Sequence, residues 1–175
     1  MKINHAAVGG VLVLALTPAS AQPLGPTDPQ IAAIVVTASQ VDIDADKLAL
    51  SKAQSPDVKA FAQLMINDHS GVNEAATELV QRLHVTPEGN STSHSLQEGG
   101  DESLTALKAL SGSAFDRAYL EHEVAYHQAV LDAVDTTLTP NAQHTELKAL
   151  LVKLRPAFVA HLEHAKHLQS QIGKD

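Results

Sequence analysis

Apolar residues recur at helical spacing through nearly the whole chain from Ile31 to Leu168, and no stretch alternates as a strand would. That period restricts the chain to an all-α fold, and the punctuation between periodic stretches restricts it further. Thr27-Asp28-Pro29 predicts a first helix, with Asp28 as N-cap and Pro29 at the first helical position, where a missing N–H costs nothing. Its stripe is Ile31, Val35, Ala38, Val41, Ala45, Leu48 and Ala49, fading near Gln54. Ser55-Pro56-Asp57 repeats the device and opens a second helix with Val58, Phe61, Ala62, Met65, Val72, Ala76, Leu79 and Leu83 on one face, ending around His84. So brief a junction between long helices predicts an antiparallel hairpin.

"VTPEGNSTSHSLQEGGDES" (residues 85–103) is polar, rich in Gly and Ser, and without an apolar period, which predicts a loop leading to a short helix near residues 104–110. Ser111-Gly112-Ser113 caps a third long helix over about residues 114–138, and Thr139-Pro140-Asn141 breaks it. A fourth spans about residues 142–172, stops at Gly173, and should kink at Pro156, which removes a backbone donor. Two helical hairpins joined by a long crossover with a short extra helix make a four-helix bundle.

The opening "MKINHAAVGGVLVLALTPASA" (residues 1–21) reads as a secretory signal peptide: Lys2 at a positive start, an apolar run over residues 6–16, and Ala19-Ser20-Ala21 as a small-x-small cleavage site. The run is too short to span a bilayer. The expectation is export to the periplasm or beyond, with cleavage near Ala21, leaving residues 22–175 as one bundle domain of ordinary core size. The chain has no Cys, so it has no disulfides, no lipid anchor after the cleavage site, and no Cys-x-x-Cys-His for covalent haem. A formal charge of −8 argues against a nucleic-acid partner, and no other run is apolar enough for a membrane helix. A homodimer or an envelope protein partner is compatible with this composition.

Winding each helix at about 100° per residue shows which polar side chains face the core. Asp42 falls inside the first stripe, Asp44 points away, and Asp46 is marginal. His69 falls among Ala62, Met65, Val72 and Ala76. On the third helix Leu120, Val124, Leu131 and Val134 define the stripe, with His127 in its middle and Glu123 and Asp116 at its edge. On the fourth, His161 lies within the stripe of Leu147, Leu151, Leu154, Phe158, Ala165 and Leu168.

Each long helix thus turns one metal-ligand type inward, and a buried polar group without a partner costs about 1–3 kcal/mol. A shared ion removes that cost. Three imidazoles with one or two carboxylates suit Zn, Fe, Mn or Cu and suit Ca or Mg poorly, so Asp42, His69, Glu123, His127 and His161 are the candidate metal residues. The alternative is a structural hydrogen-bond network in a non-catalytic envelope or stress-related protein, with Tyr119 and Tyr126 as hydroxyl partners. In "HLEHAKH" only His161 points inward; His164 sits at the boundary and His167 faces solvent. Non-covalent haem is disfavoured because aromatic residues make up 3% of the chain, too few to wall a haem cavity. Nothing specifies a substrate.

The stretches "SPDVKAFAQLMINDHSGVNE", "FDRAYLEHEVAYHQAVL" and "LRPAFVAHLEHAKHL" resemble the bacterial exported family DUF4142, a domain of unknown function grouped with ferritin-like folds. The matching elements are Asp68-His69, Phe115-Asp116-x-x-Tyr119, His127 and the step from Pro156 to His161. The resemblance covers nearly all of residues 22–175 and implies fold without implying activity. Where that family usually shows Glu-x-Glu, this chain has Asp42-Ile43-Asp44. The Glu-x-x-His pairs of ferritin-like di-iron sites are missing from the inward positions, so a mononuclear His-rich site is expected instead of a dinuclear one.

Overall fold

The computed structural model describes residues 25–172; the expected signal peptide and the stop at Gly173 lie outside them. The order is α1 (Asp28–Lys52), α2 (Pro56–Leu83), α3 (Ser91–Lys108), α4 (Gly112–Ala133), a π-helical segment (Val134–Leu138), α5 (Thr139–Asn141) and α6 (Thr145–Gln171). α1 packs on α2 and α3, α4 packs on α6, and contacts of α2 with α6 and of α1 with α4 close the bundle. No helix among the described residues is long and apolar enough to cross a membrane.

The α1–α2 hairpin forms where the paired Pro signals place it, with a shift of role at its start. Thr27 is the N-cap, and the Gln30 side chain accepts from its N–H at 3.1 Å. Asp28 is instead buried and accepts from the backbone N–H groups of Gln143 and His144, both at 2.8 Å. It therefore caps the entry to α6 from across the bundle. Asp116 does the same at the other end, accepting from Gln54 N at 2.9 Å and Ser55 N at 2.8 Å in the α1–α2 turn. α2 ends at His84, whose φ of 54° is the left-handed C-cap.

The expected loop over residues 85–103 is mostly helix. The unwound part ends at Asn90, whose side chain accepts from Ser93 N while Ser93 Oγ accepts from Asn90 N, both at 2.9 Å, a reciprocal cap that starts α3. α3 then runs 18 residues, not the short helix near residues 104–110. Its apolar period is invisible because it buries only Ser93, Gly100 and Leu107, a seven-residue spacing that makes one narrow seam. Gly100 is there for closeness: a Cβ on it would stand 2.7 Å from Val41 Cγ1, whereas one on exposed Gly99 would meet nothing within 4 Å. Gly99→Ala should therefore stabilise by about 0.5–1 kcal/mol through helix propensity. Gly100→Ala should destabilise by about 1–3 kcal/mol by prising α3 off α1. Urea unfolding of the pair checks this.

Pro140 does not end the third helix at Leu138. The π-helical segment sits immediately ahead of it, and a widened turn relieves the clash a proline ring makes with the carbonyl four residues back. The chain breaks at Ala142–His144 instead, and α6 carries Pro156 in its interior.

The core has two apolar clusters. One gathers Ile31, Val35, Val72, Leu79, Leu131, Leu151 and Phe158; the other gathers Ala49, Phe61, Met65, Phe115, Tyr119, Leu120 and Leu168. Along α1, α2 and α4 the residues numbered between these clusters include Asp42, Asp46, His69, Glu123 and His127, all buried, and buried His161 faces them from α6. A polar layer divides the hydrophobic core.

Candidate metal centre

Each helix positions its polar residue by the same period that buries its apolar neighbours. Asp42 lies next to Val41 and one turn from Ala45, His69 one turn from Met65 and Val72, and His161 next to Leu162 and one turn from Phe158, so burying those stripes carries the polar groups inward. The imidazoles of His69, His127 and His161 form a near-equilateral triangle, with ring centroids 5.6, 5.4 and 5.4 Å apart. One nitrogen from each lies within 4.8 Å of the others, and the same holds for donors from Asp42, Glu123 and His127. The five sequence-predicted residues thus fall into two overlapping triads that share His127, and His69 Nε2 of one lies 2.9 Å from Asp42 Oδ2 of the other.

The contacts around the triangle orient the rings. His127 Nδ1 lies 3.1 Å from the Glu123 carbonyl oxygen, leaving Nε2 buried and unpartnered. His161 Nε2 lies 2.9 Å from Asp68 Oδ2 at the rim, leaving Nδ1 buried and unpartnered. His69 Nε2 and Asp42 Oδ2 are 2.9 Å apart but not aligned as a hydrogen bond, and neither ring nitrogen of His69 nor either oxygen of Asp42 or Glu123 has a hydrogen-bond partner.

Electrostatics follow from this burial. Burial pushes the Asp42 carboxyl up, but the His69 imidazole, with His127 and His122, holds it below the ordinary carboxylate value. Burial, reinforced by Asp42 and Asp46, holds Glu123 well above that range. Burial and the Asp42 charge push Asp46 up to about 10 despite the hydrogen bond it accepts from the Tyr119 hydroxyl. Burial pushes His127 down to about 4, against the pull of Asp42, and lowers His161 against the pull of Asp68. Near neutral pH, His127 and His161 are therefore uncharged and carry free lone pairs.

Several readings change here. Asp46, marginal by period, is fully buried beside Asp42; its spacing of four from Asp42 was the signal for one shared face. Glu123, at the edge of its stripe by period, is fully buried. Asp68 had only its adjacency to His69 to mark it. Asp116 caps a backbone turn, and Tyr126 donates to the Ala38 carbonyl, so neither tyrosine hydroxyl serves a histidine. His164 is exposed and sits edge-on to Phe61, and His167 is exposed beside Gln171.

No curated protein matches the chain. A solved structure described as CopM in the Cu(II)-bound form is similar in fold, with a TM-score of 0.67 at 21% identity, covering 85% of this chain and 99% of that one. All of the candidate metal side chains fall within residues 13–168, which match the domain of unknown function DUF4142, and the protein belongs to that family.

Proposed function

We propose that this is an exported periplasmic protein that binds one transition-metal ion through His69, His127 and His161, with Asp42 and Glu123 as further ligands or as the carboxylates that orient the imidazoles. The observation that carries this reading is the set of buried nitrogen and oxygen donors that converge without hydrogen-bond partners. A self-sufficient polar network would use its own lone pairs and protons, because each one left buried and unmade costs about 1–3 kcal/mol. The donor set is nitrogen-rich and sulfur-free, which suits Cu(II), Zn, Fe or Mn. The Cu(II)-bound neighbour of the same fold supports copper as the first ion to try. A bound ion would act on the imidazole lone pairs, and this chain's part is to hold three rings in a buried layer between two apolar clusters.

The test is elemental analysis and metal titration of protein purified without a histidine tag. One equivalent of Cu, Zn, Fe or Mn is expected, whereas a chain that takes up none of them and gains no thermal stability would defeat the proposal. The Asp68–His161 contact adds a finer expectation. Asp68 orients the ring from the rim, so Asp68→Asn should weaken metal binding by roughly 10–100-fold while leaving the metal-free fold nearly unchanged. Competition against a chelator of known affinity measures it.

A further inference from the structure

A cavity of about 280 Å³ runs from the surface to the polar layer. Exposed Thr92 and Ala129 mark its mouth between α3 and α4, and the π-helical residues Val134, Thr137 and Leu138 form part of its wall. At its inner end are His69 and Phe158, whose rings are stacked 5.8 Å apart and 10° from parallel. Ala129 and Ala133 present only methyl groups to it. No Asp, Glu, Lys or Arg side chain lines it.

We infer that this cavity is a binding site for one small uncharged aromatic molecule, entering between α3 and α4 and resting against the His69–Phe158 ring pair. An apolar cavity of about 150 Å³ already accepts benzene, so the volume here suits a one- or two-ring compound. The lining disfavours a charged organic guest, which would lose its hydration among walls that hold no Asp, Glu, Lys or Arg side chain. The paired rings favour an aromatic guest, since a ring against a ring gains contact that an aliphatic molecule of equal size does not. A π-helical turn in the wall is the kind of local widening that accompanies functional sites.

The guest would rest against His69, which the proposed function also assigns to the metal, so the test uses the metal-free protein with indole as the probe. Saturable one-to-one binding is expected, with chemical-shift changes confined to Ala129, Val130, Leu151 and Phe158. Cyclohexanol should bind more weakly. Ala133→Leu fills the cavity and should weaken indole by about tenfold or more. Ala129→Leu, at the exposed mouth where folding is not at stake, should weaken it too. Absence of saturable binding, indole affinity unchanged in both variants, or cyclohexanol binding as tightly as indole would each overturn the assignment. All are read without metal, so none of them decides whether the ion binds.

Discussion

Replacing His127 with alanine is expected to lower transition-metal affinity by on the order of a hundredfold or more, since a metal ligand should matter at least as much as the outer residues whose loss costs 10–100-fold. His127 is the residue shared by both donor triads, so its loss breaks each of them. The effect has a thermal signature. Free metal at about a thousand times its dissociation constant stabilises the folded state by about 4 kcal/mol, which for a chain of this size is a rise in Tm of roughly 10 °C. Wild-type protein should show that rise with its preferred ion. His127→Ala should show almost none at the same metal concentration, although its cooperative unfolding without metal is retained. An undiminished rise in the variant would mean that the ion, if any, sits elsewhere.

The second large effect has the opposite sign for the metal-free chain. Glu123 is fully buried, both carboxylate oxygens lack hydrogen-bond partners, and Asp42 and Asp46 crowd it. Glu123→Met keeps an unbranched side chain of similar length and removes two stranded oxygens. The metal-free protein should gain about 1–3 kcal/mol in urea unfolding, as replacing uncompensated buried polar groups by apolar ones does elsewhere. The same variant should lose part of the metal-induced rise in Tm. A polar group kept at a cost to the empty fold and recovered on binding is what a metal layer requires. A structural network predicts instead that Glu123→Met destabilises, because it removes a member on which others depend.

The helices that carry this layer were legible because periodicity and capping are local. α1, α2 and α6 begin and end within about three residues of where the Asp28-Pro29 start, the fading near Gln54, Pro56, His84 and the expected span of residues 142–172 place them. The inward direction of Asp42, His69, His127 and His161 was legible for the same reason: a residue inside an apolar stripe goes where the stripe goes. α3 was not, because its seam of Ser93, Gly100 and Leu107 contains one large apolar side chain and gains its stability by lying close against Val41. Pro140 was misleading, since a π turn absorbs a proline that a regular helix does not.

Chain composition and period alone determined an all-helical bundle and the residues that turn toward its axis, because helical geometry rigidly couples position in sequence to direction in space. Only tertiary packing decided at what height each group sits. That is why the five candidates make two overlapping triads that share His127, why Asp28 and Asp116 became caps for distant turns, why Asp46 joined the layer, and why Asp68 meets His161 at its rim. Height along the bundle depends on how far each helix slides against its neighbours, and sliding is set by side-chain interdigitation among residues remote in sequence, which no local pattern records.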